Sequence, residues 1–321
     1  MRILLVKTSS LGDVIHNLPV VRDLRRSLPE VTDIDWCVEE GFADIPRLHP
    51  EVSDVIPVAV RRWRKSLGSL STWREIAAFR HRIVDSEYDA ILDTQGLFKS
   101  ALIARQARGL RYGYDAAVAR EPIAARFYDR TFIIPPNAHA VERNRWLAAA
   151  AFDYPVDLPL DYGISAPDAE LPWLAPAQRH AVLLTATSRD DKLWSEEAWT
   201  SLTRWLVARD IVPVLPSGSA QEKQRAERIA ATAPGAIVAP PLDLRSLAAL
   251  LGRSRLAVGV DTGLVHLATA LNVPTIAIYV ATDPALTGVY GTGFFRNLGT
   301  RGRPPLAAEV IAVAEQELRS S

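Results

Sequence analysis

Short apolar runs rich in Val, Ile and Leu alternate along the chain with longer stretches whose apolar residues recur every three to four positions. The short runs are typical of strands buried on both faces, and the periodic stretches are typical of amphipathic helices. We predict strands at 2–7, 34–38, 89–93, 131–134, 181–185, 211–215, 256–260 and 275–279. We predict helices at 13–28, 72–84, 97–107, 196–209, 220–232, 244–252, 264–271 and 305–318. The alternation predicts the α/β class with open parallel sheets.

The length of 321 residues favours two domains, each large enough to fold around its own core. Proline becomes dense between 153 and 176, where no apolar period is sustained, and this segment is the predicted linker. We therefore expect domains at 1–160 and 161–321. The final helix could pack on its own domain or back on the N-terminal one.

Composition narrows the class of protein. The chain is 48% hydrophobic and 23% charged, as in ordinary folded proteins, and its 37 basic residues match its 37 acidic ones. A net charge of zero argues against a general nucleic-acid binder, so we expect no nucleic-acid partner. Cations are in slight excess in the first half of the chain and carboxylates in the second, which leaves room for local charged sites.

Cys37 is the only cysteine, which excludes an intrachain disulfide and a zinc cage built from cysteines. The histidines show no HExxH pattern, so we predict no metal site, and nothing in the sequence calls for a cofactor. The apolar run at 3–6 is too short for a signal peptide, and no run approaches a membrane span. These features predict a cytoplasmic protein.

The first strand is followed by the turn KTSSLGD at 7–13, which contains Ser10, Gly12 and Asp13. A turn of small residues before a helix exposes backbone N–H groups to an anion or polar ligand. The turn has neither a dinucleotide-binding nor a Walker A pattern. Asp13 could be a helix N-terminal carboxylate favoured by the dipole or a catalytic base at a strand end, and its position leaves both open.

A second cluster, RRWRK at 61–65, gathers four cations around Trp63. It could be a solvated face or a nucleic-acid patch, but the zero net charge disfavours the latter. The more specific hypothesis is that this cluster binds a carboxylate or a phosphate, since arginine binds either group through two hydrogen bonds. The candidates are Arg61, Arg62, Arg64 and Lys65, joined by Arg120 and His139, which taken singly would be ordinary surface or polar residues.

Two further strand ends lie in the second half. Hydroxyls and a lysine after strand 181–185 suit a diphosphate, and the sequence VDTGLVH after strand 256–260 opens a helix whose N–H groups could hold one. Asp261 would repel phosphate, so we expect it to cap that helix or bind sugar hydroxyls. The candidates are Thr187, Ser188, Lys192, Asp261, Thr262, Gly263 and His266.

Several motifs occur together, in order, over nearly the whole chain: ILLVKTSSLGDVIHNLP, IDWCVEEGF, IPVAVRRWRK, DTQGLFKSA, AREP, HAVER, and VDTGLVHLATAL followed by TDP. This set resembles the lipopolysaccharide heptosyltransferases of glycosyltransferase family nine. The resemblance implies a GT-B fold, in which two Rossmann-like domains face a central cleft, with the acceptor on the first and the nucleotide sugar on the second. It also implies inverting, metal-independent transfer of L-glycero-D-manno-heptose from ADP-heptose to the first Kdo of Kdo2-lipid A.

Roles follow from the same resemblance. Asp13 matches the family's catalytic base, and Lys192 matches a group that neutralises the ADP leaving group. Other matches on the donor side are Thr187, Glu222, Thr262, Gly263 and His266, whereas Arg61, Arg62, Arg64, Lys65, Arg120 and His139 would hold Kdo carboxylates and lipid A phosphates. Because that acceptor is anchored in the inner leaflet, the enzyme would be peripheral to the cytoplasmic face of the inner membrane. Residues 61–82 are the candidate contact, with a basic solvated helix as the alternative.

The chain departs from the family pattern on the donor side. Ser217 stands where the family often has Trp, and Val280-Ala281 stands where Gly-Pro is usual, so the fine nucleotide or sugar specificity is open. Three alternatives remain: a family-nine transferase with a heptose acceptor, a nucleotide-sugar isomerase on the same fold, and a catalytically silent binding protein. A basic acceptor face argues against the isomerase, and Asp13 argues against the silent binder.

Overall fold

The structure is a computed structural model that describes residues 1–175, 177–187 and 189–320. The chain divides into two compact units, Met1–Gly163 (unit 1) and Ile164–Ser321 (unit 2). The boundary falls within the proline-dense segment from which a linker was predicted, three residues after the position inferred from the sequence.

Unit 1 is built on one parallel sheet. Its described strands are β1 (Arg2–Val6), β2 (Asp33–Glu39), β3 (Asp54–Val58), β4 (Glu87–Asp93), β5 (Arg108–Tyr114) and β6 (Arg130–Phe132). They pair in the order β3-β2-β1-β4-β5-β6, and each neighbouring pair is parallel. Its helices are α1 (Leu11–Ile15), α2 (Leu18–Ser27), α3 (Asp44–Arg47), α4 (Val60–Trp63), α5 (Leu70–Asp85), α6 (Phe98–Ala104) and α7 (Ala140–Phe152), with 3₁₀ turns at Glu40–Phe42 and Pro122–Phe127.

Unit 2 repeats this plan. Its described strands are β7 (His180–Leu184), β8 (Val212–Leu215), β9 (Ile237–Val238), β10 (Leu256–Val260), β11 (Thr275–Ile278) and β12 (Phe295–Leu298). They pair in parallel in the order β12-β11-β10-β7-β8-β9. Its helices are α8 (Glu196–Val207), α9 (Ala220–Ala230), α10 (Leu244–Gly252), α11 (Gly263–Ala270) and α12 (Ala307–Ser320), with a 3₁₀ turn at Asp190–Lys192.

Both sheets have the doubly wound order, in which the direction of winding reverses once. The reversal lies between β1 and β4 in unit 1 and between β7 and β10 in unit 2. In open α/β sheets, ligands bind beyond the carboxyl ends of the strands at this switch point. The predicted α/β class with parallel sheets is confirmed, and the topology selects the loops after β1, β4, β7 and β10 as the candidate sites.

Some elements differ from the predicted ones. β3, β5, β9 and β12 were not predicted: β3 contains Pro57, which an edge strand tolerates, and the first half of β5 is exposed and polar. The predicted helix 13–28 breaks into α1 and α2 around His16 and Asn17, because Pro19 can begin a helix but disrupts its interior.

The last helix belongs to the core of unit 2. Val310 and Ala314 are fully buried in a cluster that includes Trp199 and Ile276, and α12 contacts α8 and β11. The alternative in which α12 packs back on unit 1 is therefore not needed to bury its apolar face. No helix in the described part of the chain is both long and apolar enough to cross a bilayer.

Candidate active site

In unit 1 the loop after β1 carries Asp13 on the first turn of α1. Its Oδ2 accepts hydrogen bonds from the Ser10 backbone nitrogen at 2.8 Å and the Ser10 hydroxyl at 2.9 Å, and it lies 3.7 Å from Arg120 Nη1. Burial alone would raise the pKa of this carboxyl, but the charges of Lys7 and Arg120 and the Ser10 hydrogen bonds outweigh burial and lower it. Asp13 is therefore ionised at neutral pH and fixed in orientation.

Lys7 is a buried cation directly after β1. Its Nζ donates to the Thr94 carbonyl at 2.7 Å and to Asn144 Oδ1 at 3.3 Å. Burial lowers its pKa from 10.5 to about 8, and the charges of Asp13 and Asp93 limit the fall. The hydrogen-bond partners of this ammonium are neutral, and none of the described carboxylates forms an ion pair with it, so its charge remains available to lower the pKa of Asp13.

The loop after β4 holds the β1 loop in place. Gln95 Oε1 accepts from the Thr8 backbone nitrogen at 2.6 Å and the Thr8 hydroxyl at 2.8 Å, while its Nε2 donates to the Ser9 carbonyl at 2.9 Å. Buried Asp93 accepts from the Gln95 backbone at 2.8 Å and from the Tyr128 hydroxyl at 2.7 Å. Gln95 was missed as a site residue, although DTQG directly follows a predicted strand.

Lys99 is a second residue that the sequence-based candidates omit. Its Nζ donates to the Ser9 hydroxyl at 2.9 Å, next to the residues that hold Asp13. Burial lowers its pKa, the negative charges of Glu39 and Glu121 oppose this fall, and the positive charges of Arg61 and Arg120 add to it. The sequence contains only five lysines, and this scarcity was the one feature that could have drawn attention to Lys99. The β1/β4 edge thus places the ionised carboxylate of Asp13 among several cations.

The cluster at 61–65 divides into paired and unpaired cations. Arg62 pairs with Glu40 through two contacts of 3.0 Å and with Glu75 at 2.8 Å. Arg61 lies over the Phe42 ring at 5.3 Å, and Arg64 and Lys65 are exposed without an ion pair in the described part of the chain. Arg62 is therefore the member least able to attract another anion.

His139 has a structural role in the loop before α7. It is the N-cap residue of that helix, and its Nδ1 accepts from the Val141 backbone nitrogen at 3.2 Å. Its ring centroid lies 5.4 Å from that of His16, just beyond α1, so His139 lies near the helix that carries Asp13. Gly12 is the second residue of α1.

Unit 2 contains a cavity of about 270 Å³ at the carboxyl ends of its strands. Leucines form apolar walls, and the polar groups that line it include Thr187, Ser217, Glu222 and Thr262. One carboxylate oxygen of Glu222 accepts from the Gly218 backbone nitrogen at 2.6 Å, which fixes the turn after β8. Apolar walls with a few polar groups are typical of a site for a small organic ligand such as a nucleoside.

Beside this cavity Lys192 pairs with Asp261 after β10. Lys192 Nζ lies 2.6 Å from Asp261 Oδ2, which also accepts from the Thr282 hydroxyl at 2.7 Å. The Thr187 hydroxyl donates to the Asp261 carbonyl at 3.0 Å. The expectation that Asp261 caps α11 is wrong, because Thr262 is the N-cap residue and the Asp261 carboxylate is held by a cation and a hydroxyl instead.

The remaining donor-side candidates lie around the same edge. Gly263 is the first residue of α11, and His266 is buried within that helix. Val280 packs against the core, and the Ala281 carbonyl accepts from Arg301 Nε at 3.3 Å. Ser188 lies outside the described residues. Within the described residues no three His, Cys, Asp or Glu side chains come together as metal ligands would.

Comparison with known proteins identifies the family. The model of glycosyltransferase family 9 (heptosyltransferase) matches residues 76–303. The chain belongs to glycosyltransferase family 9. A curated relative, lipopolysaccharide heptosyltransferase 1 of Pseudomonas aeruginosa, is 45% identical over 91% of this chain and 82% of its own length. The predicted family and enzyme class are confirmed, so this family-9 chain is a glycosyltransferase and the isomerase and silent-binder alternatives are set aside.

Two solved structures are similar over the same extent. E. coli heptosyltransferase WaaC with ADP has a TM-score of 0.90 and 41% identity, and the alignment covers 99% of this chain and 100% of that one. The same E. coli enzyme with ADP-2-deoxy-2-fluoro heptose has a TM-score of 0.88 and 40% identity, covering 98% and 99% of the two chains. These matches confirm the predicted GT-B type of fold.

Proposed function

We propose that this chain transfers L-glycero-D-manno-heptose from ADP-heptose to the first Kdo of Kdo2-lipid A, with inversion and without a metal ion. Support for the donor comes from the similar E. coli enzyme, whose structures hold ADP and a fluorinated ADP-heptose. Support for the pathway comes from a relative named as a lipopolysaccharide heptosyltransferase. The observation that carries the chemistry is Asp13, an ionised carboxylate held in a fixed orientation among cations at the switch point of unit 1.

Asp13 would act as the general base. As the bond between the anomeric carbon and the phosphate oxygen breaks, the acceptor hydroxyl attacks that carbon from the opposite face and its proton passes to Asp13. The electron pair of the broken bond leaves with ADP, and attack from the opposite face inverts the configuration. Lys7 and Arg120 keep Asp13 ionised when an anionic acceptor is bound nearby, since carboxylates on that acceptor would otherwise raise its pKa.

Unit 2 would bind the donor. The cavity lined by Thr187, Ser217 and Glu222 would take the nucleoside, with Glu222 towards the ribose hydroxyls. Lys192 and the first N–H groups of α11, next to Thr262 and Gly263, would take the diphosphate and stabilise the charge that develops on ADP as it leaves. Asp261 would turn to sugar hydroxyls once the diphosphate competes for Lys192, with His266 in the same helix.

Unit 1 would bind the acceptor through cations. Two cations, Lys99 and Arg120, contact the Ser9–Asp13 loop. Three more follow β3 at the same edge of the sheet: Arg61, Arg64 and Lys65. Arginine and lysine at such an edge suit Kdo carboxylates and lipid A phosphates. Because a lipid-linked acceptor stays in the bilayer, the enzyme would work at the cytoplasmic surface of the inner membrane as a peripheral protein.

The test is ADP release from ADP-heptose with delipidated Kdo2-lipid A in the presence of EDTA. We expect turnover that EDTA does not reduce and an NMR coupling pattern that shows an inverted anomeric centre. Asp13→Asn keeps the shape of the side chain and should lower kcat by about 10²–10⁴-fold while ADP-heptose binds as before. Turnover only with an acceptor that already carries heptose, an absolute need for a metal, or near-normal kcat in Asp13→Asn would contradict the corresponding part of the proposal.

A further inference from the structure

The first part of α5 and the turn before it expose apolar side chains that no core explains. Leu67 is 52% exposed, Leu70 78% and Trp73 55%. Trp73 Nε1 donates to the Leu67 carbonyl at 2.8 Å, so the two ends of this group lie against each other. We call Leu67, Leu70 and Trp73 the apolar tip. Three large apolar residues exposed together on a folded unit indicate a surface that contacts something else.

The sequence segment that carries the tip has an excess of cations, and its first carboxylate is Glu75, next to Arg74. Residues 60–74 contain Arg61, Arg62, Arg64, Lys65 and Arg74 and no carboxylate. Arg62 is neutralised by Glu40 and Glu75, whereas Arg64, Lys65 and Arg74 are exposed and make no ion pair with any described residue. This group has an apolar centre that includes Trp, and unpaired cations lie beside it. It is therefore complementary to a partner that has an anionic outer layer and an apolar interior.

The position of the tip within unit 1 is equally informative. It follows β3, which pairs in parallel with β2, and β2 pairs in parallel with β1, so the tip and the Asp13 loop both lie beyond the carboxyl ends of one sheet. Leu70 is the first residue of α5, at the end of the helix that meets this edge. Phe98, which begins α6, and Ile123, which follows β5, are also exposed beyond the same edge.

We propose that the apolar tip enters the headgroup region of an anionic bilayer, and that Arg64, Lys65 and Arg74 contact lipid phosphates there. This proposal rests on the proposed function, in which the acceptor is held by a membrane. It adds the residues that enter the bilayer and the edge of unit 1 that faces it. Contact through this edge would bring Asp13 towards a headgroup sugar without extracting the lipid.

The experiment is sedimentation of the full chain with vesicles of phosphatidylethanolamine and phosphatidylglycerol. We expect binding that weakens with salt and is much weaker to vesicles of phosphatidylcholine alone. Leu67→Ser/Leu70→Ser should lower the partition coefficient by about tenfold or more, since two exposed leucines lose their burial in lipid. The matched control is Leu286→Ser/Leu306→Ser in unit 2, whose leucines are 45% and 69% exposed, and it should bind like the unmodified chain.

A second measurement separates this proposal from the proposed function. Transfer to delipidated, water-soluble acceptor should be unchanged in kcat and KM in Leu67→Ser/Leu70→Ser, because neither residue is placed at the reacting groups. If the unmodified chain shows no such transfer, the proposed function fails while vesicle binding still tests the tip. Unchanged vesicle binding in the tip variant would overturn the inference. So would a dimer in solution that the tip variant abolishes, because the tip would then bind a second copy of the chain.

Discussion

The two units have the same strand order but build opposite kinds of candidate anion site at their switch points. In unit 1 the edge carries side-chain charge, because Lys7, Lys99 and Arg120 lie around the carboxylate of Asp13. In unit 2 the edge carries a cavity with apolar walls, and Lys192 beside it is paired with Asp261. The same topology therefore supplies the location of a site without fixing its electrostatics.

The two lysines show what this difference means for a ligand. Lys7 is buried against a carbonyl and an amide oxygen, and with a pKa of about 8 it is mostly charged at neutral pH. Lys192 lies 2.6 Å from the Asp261 carboxylate, so a diphosphate would have to compete with Asp261 for it. Under the proposed function, the Lys7 charge of unit 1 is therefore present before the acceptor binds, whereas the Lys192 charge of unit 2 becomes available only when the donor binds.

Apart from the loss expected in Asp13→Asn, the largest effect should come from removing the cation of unit 2. Lys192→Met keeps most of the side-chain volume and leaves the developing charge on ADP without its main side-chain counter-charge. We expect kcat/KM for ADP-heptose to fall about 10²–10³-fold, the usual loss when one preorganised charge donor is removed from a leaving-group site. Steady-state kinetics with varied donor and saturating acceptor would measure this.

Asp261→Asn is the informative companion to Lys192→Met. It frees Lys192 and removes a carboxylate that repels phosphate, and Thr282 can still donate to the new amide oxygen. We therefore expect ADP, which has no sugar, to bind several-fold more tightly to Asp261→Asn and at least about tenfold more weakly to Lys192→Met. Calorimetric titration with ADP would show both. Weaker ADP binding to Asp261→Asn would mean that the ion pair preorganises Lys192 and does not compete for it.

Most of the fold could be predicted from the hydrophobic pattern, because central strands of a parallel sheet are buried on both faces. β10 has the residues predicted for it, β1 and β11 differ from prediction by one residue at an end, and β7 is shifted by one residue. Of the four strands that were not predicted, β3, β9 and β12 lie at sheet edges with one neighbouring strand each, so their sequences need not be continuously apolar. The fourth, β5, has two neighbours but its first half is exposed, whereas the edge strand β6 was predicted. The hydrophobic pattern of a sequence indicates which residues are buried, so it predicts a strand least well where that strand is partly exposed.

A site residue could be predicted from the sequence where its position after a strand was enough to indicate its role. Asp13, Lys192 and Thr262 follow strands and could be found in that way. Lys7 and Gln95 act through partners that are distant in sequence, Thr94 and Asn144 for the first and Thr8 and Ser9 for the second. The pairing of Arg62 with Glu40 and Glu75, and of Lys192 with Asp261, likewise depends on contacts that only the folded chain reveals.

The next prediction concerns Lys7, the buried cation of unit 1. Lys7→Met removes a charge that lowers the pKa of Asp13, so that pKa should rise. The kcat of the variant should then fall on acidification at a correspondingly higher pH than that of the unmodified chain. Tyr114→Phe is the matched control, because it removes a 3.3 Å hydrogen bond to the same Asn144 oxygen without changing charge. Identical profiles for Lys7→Met and the unmodified chain would show that Lys7 is purely structural.

Stability gives an independent measure of the same lysine. Burial lowers the pKa of Lys7 from 10.5 to about 8, so below pH 8 the folded state bears a cost of up to about 3 kcal/mol for keeping the ammonium buried. Unfolding takes up a proton between these two values, so the free energy of unfolding rises with pH across that window. Lys7→Met lacks this dependence. We therefore expect the unmodified chain to gain up to about 3 kcal/mol relative to Lys7→Met on going from about pH 7 to above pH 10.5, measured by urea denaturation.

The smallest effect tests the division within the basic cluster at 61–65. Arg62→Gln removes a charge that Glu40 and Glu75 already neutralise, so the acceptor KM should change less than about threefold, within the range of an exposed ion pair. Arg61→Gln/Arg64→Gln removes two unpaired charges and should raise that KM about tenfold, less so at high salt. Glu75→Gln partly frees Arg62 and should lower the acceptor KM slightly. An Arg62→Gln effect as large as that of the double variant would mean that the acceptor displaces Glu40 and Glu75, and the edge of unit 1 would then contain the same kind of competing ion pair as unit 2.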